Sequence, residues 1–122
     1  MSTIIVIITF IQISKGEMVK IITKSNFTTE VLQSKKVVLL DVWAPWCSPC
    51  RAMSPIVDLI DEEIKGNAEI AKLDASIEMD LVQELGVTGL PTFLVFKEGN
   101  VVGQVIGMTS KANLLDLLSK QM

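Results

Sequence analysis

Hydrophobic residues recur at two spacings from Met18 onward, one typical of strands and the other of helices. The clearest strand pattern is residues 37–43 (VVLLDVW), an almost continuous apolar run typical of a parallel strand buried on both faces. Further apolar runs predict strands at residues 19–22, 69–74, 92–96 and 101–106. Together these segments are enough for one central sheet.

Helical spacing separates the strands. Ser25 or Asn26 can cap a helix that runs to about Gln33, and Gly86 can close a short helix at residues 80–85. The longest helix follows the cysteines, contains Pro55, which should kink it, and should stop at Gly66. The apolar face of this helix, predicted to be buried, consists of Met53, Ile56, Val57, Ile60 and Ile64. Its predicted solvent side consists of Asp58, Asp61, Glu62 and Glu63. A final helix has an apolar face formed by Leu114, Leu115, Leu117 and Leu118.

The predicted order of elements is β-α-β-α-β-α-β-β-α, which indicates the α/β class. The last two strands are joined by only residues 97–100, so they should form an antiparallel hairpin. Gly103 and Gly107 predict a bulge or a close backbone approach in or after the second strand of that hairpin. We therefore expect a mixed central sheet, parallel first and antiparallel last, with helices on both faces.

Residues 3–13 (TIIVIITFIQI) are strongly apolar, but they are too few to span the roughly 30 Å hydrocarbon core as a helix. They also lack the basic start and the small-residue cleavage site of a secretory signal. A short anchor or atypical signal, an extra edge strand, and an extension ahead of a physiological start at Met18 all stay open. We expect the last, because Lys-Gly-Glu before Met18 can be encoded by a purine-rich stretch that resembles a ribosome-binding site. Residues 1–17 would then be an extension and residues 18–122 the domain.

Composition narrows the function classes. The chain has 122 residues, 49% of them hydrophobic, and a net charge of −3 without a basic block, so neither nucleic acid nor an anionic membrane is indicated as a partner. It has no histidine, which excludes a Cys-His nucleophile pair, a His-ligated metal site and a histidine pH switch. Its two cysteines are too few for a disulfide framework.

Cys47 and Cys50 form a Cys-x-x-Cys pattern between a strand and a helix, which is typical of a dithiol redox site. Cys47 should open the helix, where backbone N–H groups and the helix dipole favour the thiolate, and Pro49 fits the first turn without losing a hydrogen bond. Cys50, one turn on and more shielded, should resolve the mixed disulfide that Cys47 forms. Half of a zinc site completed by a partner chain, or two inert cysteines, are the alternatives.

Asp41 is the one ionisable residue in the predicted buried strand, so its pKa should be raised. It could accept and return the Cys50 proton, or it could be a solvated residue at a strand end. Lys72 in the next strand either pairs with Asp41 or is a solvated edge lysine. Trp46 is either a core residue or, as we expect beside a reactive thiol, an exposed apolar lip for a protein partner.

Residues 18–122 resemble the thioredoxin family throughout. The matching runs are DVWAPWCSPCR, the helical Pro55, AKLD at 71–74, GLPT at 89–92, FKEG at 96–99 and the late Gly107. The resemblance implies the thioredoxin fold, with Cys47 as nucleophile, Cys50 as resolving thiol, Asp41 as buried proton acceptor and Lys72 near it. It also implies a cis bond before Pro91. The resemblance also implies a substrate-binding groove that reaches Met108. Its residues are Trp46, Ser48, Pro49, Thr88, Gly89, Leu90, Ile106 and Gly107.

Ser48 and residues 3–16 depart from the family pattern. Ser48 stands where glycine is typical, so the sequence leaves the reduction potential open by some tens of millivolts. Pro49 stands where oxidising relatives often carry histidine, which favours a reducing function. Residues 3–16 lie outside the resemblance and bear on the compartment.

The resemblance implies a cytoplasmic, monomeric reductant of disulfide-containing proteins, itself reduced by a flavin-dependent thioredoxin reductase, with no metal or bound cofactor. One alternative is a thiol–disulfide oxidoreductase that residues 3–13 tether to a membrane or export. Another is a subunit of the same fold that works by binding a partner and does not need its thiols.

Overall fold

This computed structural model describes residues 19–122. They form a domain with a mixed sheet at its centre. Its five strands are β1 (Lys20–Ile22), β2 (Val37–Trp43), β3 (Ala68–Asp74), β4 (Thr92–Lys97) and β5 (Asn100–Ile106). The helical segments are α1 (Thr28–Leu32), α2 (Ser48–Ile64), α3 (Met79–Glu84) and α4 (Lys111–Ser119). The predicted order of elements is confirmed.

The strands lie in the order β1-β3-β2-β4-β5. β1 and β2 are each parallel to β3, whereas β4 is antiparallel to both β2 and β5. This is the predicted mixed sheet, parallel in its N-terminal half and antiparallel in its C-terminal hairpin. β2 lies at the centre of the sheet, and its residues 37–42 are all buried, so it is covered on both faces, as its apolar sequence predicted.

The core has one apolar layer on each face of the sheet, because successive side chains of a strand point to opposite sides. Val37 and Leu39 of β2 pack in the layer covered by α2 and α4. Val38, Leu40 and Val42 pack in the layer that contains Phe27, Val31, Leu81 and Val82 from α1, α3 and the turn before α1. By the same alternation Asp41 lies on the α2 side of the sheet.

Helix α2 ends where the sequence indicated, although the residue that terminates it is Lys65, in the left-handed region at φ 48°, followed by Gly66 at φ 81°. Pro55 lies inside the helix, as predicted. The assignment of Asp58 and Asp61 to the solvent side is wrong, since both are half-buried. Burial is the main cause that raises the pKa of Asp61, and the negative charge of Asp58 is the second.

The predicted cap of the first helix is also wrong. α1 is a short π-helical segment preceded by Phe27, without a side-chain cap. The Asn26 carboxamide instead accepts from the Thr23 backbone N–H at 2.7 Å and donates to the Ile21 carbonyl at 2.9 Å. Asparagine competes with helical hydrogen bonding in this way, and here it fixes the turn that follows β1.

The β4–β5 hairpin turns at Glu98 and Gly99, both with positive φ (53° and 81°). The register shifts near Gly103, because Val95 pairs with Gly103 whereas Phe96 pairs with Val101. The predicted bulge is therefore confirmed. The predictions made for residues 3–13 and for Met18 lie outside the described residues. No helix within residues 19–122 is both long and apolar enough to cross a membrane.

Candidate active site

The site begins where β2 gives way to α2. Cys47 has an extended backbone (φ −90°, ψ 109°) and is the N-cap of α2, as the sequence predicted. Its N–H donates to the Ala44 carbonyl at 3.1 Å, and its Sγ accepts from the Cys50 N–H at 3.3 Å. An N-cap sulfur that accepts a helical N–H is placed where negative charge is favoured.

Cys47 and Cys50 are joined in a disulfide, with their Cα atoms 5.3 Å apart. In this oxidised form both residues are buried, Cys47 being 6% and Cys50 4% exposed. Overall exposure thus hardly distinguishes them. Their difference is positional, because Cys47 precedes the helix and lines an open groove, whereas Cys50 lies within the first turn of α2.

The loop that carries Cys47 is held from both sides. Pro49 lies in the first turn of α2, where its missing N–H costs no hydrogen bond. Arg51 Nη1 donates to the Pro45 carbonyl at 2.8 Å and so ties the helix to the loop before it. The Cys47 sulfur therefore lies on a restrained turn.

A second loop faces this turn. The Leu90–Pro91 peptide is cis, as the family resemblance implied. The Thr92 hydroxyl donates to the Gly89 carbonyl at 2.6 Å, and the Gly107 N–H donates to the Pro91 carbonyl at 2.7 Å. Gly89 is thus tied to β4, and Pro91 to the residue that follows β5.

Between the two loops lies a groove of about 570 Å³. Trp46 forms an exposed lip of it, with 71% of its surface accessible, so the alternative of a core tryptophan is excluded. Ile106 and Met108 are also exposed apolar side chains, and Ile106 Cγ2 lies 3.4 Å from where a Cβ on Gly89 would be. The groove is lined by Trp46, Cys47, Ser48, Pro49, Ala75, Val82, Val87, Thr88, Gly89 and Leu90.

Asp41 is the buried charge of the site. It is 2% exposed, and its Oδ1 has no hydrogen-bond partner among the described residues. Burial raises its pKa from 3.8 to about 7, Lys72 opposes the rise, and Asp58 adds to it. A carboxyl with this pKa exchanges a proton near neutral pH, as the sequence led us to expect.

Lys72 is the register partner of Asp41 on the neighbouring strand. It is half-buried on β3, which has a strand on each side, so the alternative of a solvated edge lysine is wrong. Its Nζ donates to the Ser54 hydroxyl of α2 at 3.1 Å. Asp41 and Lys72 thus belong to the layer between the sheet and the helix that carries Cys50.

Comparison with known proteins agrees with this geometry. Residues 18–120 match the family model for thioredoxin. The chain belongs to the thioredoxin family. Among similar proteins, the thioredoxin of Rickettsia felis is 38% identical over 99 residues, covering 81% of this chain and 94% of that protein. The thioredoxin of Pyropia yezoensis is 38% identical over 99 residues, covering 81% of this chain and 92% of that protein. Thioredoxin 1 of Nostoc is 37% identical over 101 residues, covering 83% of this chain and 94% of that protein.

The mixed sheet with its helices is accordingly the thioredoxin fold. Thioredoxins are thiol–disulfide oxidoreductases, and this chain has its cysteine pair at disulfide distance, so it is a protein-disulfide reductase of the thioredoxin type. Membership of the family implies disulfide-containing proteins and a thioredoxin reductase as partners.

The structure brings most of the predicted site residues to the groove, namely Cys47, Trp46, Ser48, Pro49, Thr88, Gly89 and Leu90. Pro91, Ile106 and Gly107 lie next to it through the contacts described above. Cys50 lies below Cys47 in α2. Asp41, which is buried, and Lys72, which is half-buried, are register partners on the α2 side of the sheet, and together they are called the buried pair below.

Sequence reasoning missed two groups. The apolar floor of the groove contains Ala75, Val82 and Val87, which come from the β3–α3 loop, α3 and the loop that follows it. Ser54 and Asp58 act on the buried pair from α2. Their spacing from Cys50, four and eight residues, was the available signal, because these spacings place residues on one helix face.

Proposed function

We propose that this thioredoxin reduces disulfides of other proteins through two exchange steps. The Cys47 thiolate attacks one substrate sulfur, which breaks the substrate disulfide and releases the other sulfur as a thiolate. Cys50, as its thiolate, then attacks Cys47 Sγ, giving the Cys47–Cys50 disulfide and the second substrate thiol. Two electrons pass to the substrate. The observation that carries this assignment is that Cys47 is both the N-cap of α2 and a lining residue of the groove.

In this proposal Asp41 accepts the Cys50 proton during resolution and returns it when the disulfide is reduced again. Its pKa of about 7 supports the role, since both protonation states are populated near neutral pH. Lys72 stabilises the carboxylate form, as its effect on the Asp41 pKa indicates.

The substrate would dock as an extended segment across the groove. One side of the groove would be the backbone of residues 88–91. The other side would be formed by Trp46, Ser48 and Pro49. Ile106 and Gly107 extend the apolar surface beyond the cis loop. An extended peptide is recognised by main-chain hydrogen bonds and adjacent side-chain pockets, and the groove beside the cis loop would supply the pocket.

We further propose that residues 18–122 are the functional domain, that residues 1–17 are an extension, and that the protein works in the cytoplasm as a monomer. A thioredoxin reductase would restore its dithiol, and the reaction would need no metal, bound cofactor or nucleic acid. The match of the family to residues 18–120 supports the boundary.

Trapping of the mixed disulfide tests the proposed function, its partners and its compartment together. The Cys50→Ser variant, expressed from the native gene with its own upstream sequence, should accumulate on cytosolic proteins in reductant-sensitive adducts, because its second step is blocked. Fractionation and mass spectrometry of these adducts should give a first peptide that begins at Met18. Adducts confined to the membrane fraction, or a first peptide containing Ile4, would contradict the compartment and the extension. No adducts at all would contradict the reductase function.

The docking proposal predicts a large effect for Trp46→Ala. Exposed tryptophans at interfaces are often hot spots, so the variant should lose about tenfold or more in kcat/KM, through KM rather than kcat. Ile21→Ala removes another exposed apolar side chain, on the edge strand β1, and is the control. Steady-state reduction of a protein disulfide measures both. A fall in kcat at constant KM would assign Trp46 to chemistry instead of docking.

A further inference from the structure

Three residues of α2 share one face of the helix below the disulfide. Cys50, Ser54 and Asp58 follow one another at intervals of four residues, so each lies about one turn from the next. Cys50 is in the disulfide, Ser54 contacts Lys72, and Asp58 acts electrostatically on Asp41. This face therefore turns towards the buried pair of the sheet.

The pair on the sheet faces the same layer. Asp41 and Lys72 are register partners on two neighbouring parallel strands, so their side chains leave the sheet on the same side. Asp41 is on the α2 side, together with Val37 and Leu39 of its own strand. Ser54 is therefore across from Lys72, in the layer that separates α2 from Asp41.

The hydrogen bonding of the layer is uneven. Lys72 Nζ donates to the neutral hydroxyl of Ser54 at 3.1 Å, whereas Asp41 Oδ1 has no hydrogen-bond partner in the described part of the chain. Lysine has a long stem with many rotamers, so the location of its charge depends on what anchors the ammonium. Here the anchor is a hydroxyl on the helix of the resolving cysteine.

We propose that Ser54 is a positioning residue for the dithiol reaction: its hydroxyl holds the Lys72 ammonium between α2 and the sheet, beside the carboxyl of Asp41. The proposal rests on the proton-transfer function proposed for Asp41. Ser54 does not touch the reacting sulfurs, and it acts only through Lys72.

The charges that face Asp41 determine the direction of the effect. Lys72 faces it from β3 and Asp58 from α2, while its partner on β4 is the apolar Phe93, and α4 contributes Leu114 and Leu118. Without the Ser54 hydroxyl the half-buried Lys72 can extend towards solvent, while Asp58 stays in place. Asp41 then loses its favourable neighbour and keeps the unfavourable one, so it should bind its proton more tightly.

The test is a ¹³C NMR titration of the Asp41 carboxyl in the oxidised full-length protein, in which the cysteines do not titrate. Ser54→Ala should raise the proton affinity of Asp41 about threefold, the effect of moving one anchored charge. Alanine is the best helix former, so α2 should be preserved. Ser54→Thr keeps the hydroxyl and should restore the wild-type midpoint. Ser119→Ala, an exposed serine of α4, is the matched control and should change nothing.

A second background shows whether the effect passes through Lys72. In Lys72→Met protein, Ser54→Ala should leave the Asp41 midpoint unchanged, since the anchored charge is gone. A shift that persists there would mean that the hydroxyl acts on Asp41 directly, and would overturn the proposal. An unchanged or lowered proton affinity in the single variant would overturn it as well.

Kinetics separate this proposal from the function on which it rests. The rate of the resolving step, measured in a single turnover of reduced protein, should shift its pH midpoint upward in Ser54→Ala by the amount seen in the titration. If the NMR midpoint moves and the kinetic midpoint does not, Ser54 positions Lys72 but Asp41 does not accept the Cys50 proton. If neither moves, the positioning itself is wrong.

Discussion

Cys47→Ser should abolish protein-disulfide reduction, with the rate falling by several orders of magnitude to that of uncatalysed exchange. The hydroxyl that replaces the sulfur cannot form a mixed disulfide, so the first step has no nucleophile. The measurement is turnover of a protein disulfide with thioredoxin reductase as the electron source, followed at matched protein concentrations.

Cys50→Ser is the matched control for this variant, because both proteins lose the same disulfide and retain one thiol. Cys50→Ser should form a stoichiometric mixed disulfide and then stop, whereas Cys47→Ser should form none. The two outcomes separate attack from resolution. The reverse result would assign the nucleophile to Cys50, and equal adduct formation by both would mean that the N-cap position confers no advantage.

The parts of the site that follow from local patterns were predictable. The continuous apolar run of β2 predicted a strand covered on both faces, and the single carboxyl in that run predicted the raised pKa of Asp41. The position of Cys47 at the start of α2 followed from the change between strand and helix spacing at the Cys-x-x-Cys. Each of these depends on residues that are neighbours in the sequence.

The parts of the site that depend on distant segments of the chain could not be predicted from the sequence pattern. The charge of Asp58 suggested a solvated helix face, but the helix lies against the buried pair, so that residue is half-buried. Asparagine is common both at helix caps and in turns, and here the Asn26 side chain forms its hydrogen bonds within the turn after β1. The groove floor combines loop and helix residues whose pattern carries no sign of their shared location. The cis bond at Pro91 came from the family resemblance alone.

Asp41→Asn should slow the resolving step at neutral pH by up to about a hundredfold, since the buried proton acceptor is lost while its shape is kept. Single-turnover release of the second substrate thiol measures this step. Formation of the mixed disulfide should be nearly unchanged. A defect in the first step instead would mean that Asp41 affects Cys47 and does not serve Cys50.

The same substitution should change how stability depends on pH in the oxidised protein. The folded pKa of about 7 is above the ordinary aspartate pKa of 3.8, so between these values the folded state keeps a proton that the unfolded state has lost. The contribution of Asp41 to the free energy of unfolding therefore falls as pH rises from about 4 to about 7, in total by on the order of 4 kcal/mol. Below that window Asp41 has no such effect, and above it the destabilisation is complete.

Asp41→Asn lacks this titration, so its free energy of unfolding relative to wild type should increase through the same window and level off above about pH 7. Denaturant unfolding at a series of pH values measures the difference between the two proteins, in which the other carboxyls cancel. A difference that stays constant from pH 4 to pH 8 would show that Asp41 is ionised throughout. The carboxyl could then not hold the Cys50 proton, and the buried layer between α2 and the sheet would have only a structural function.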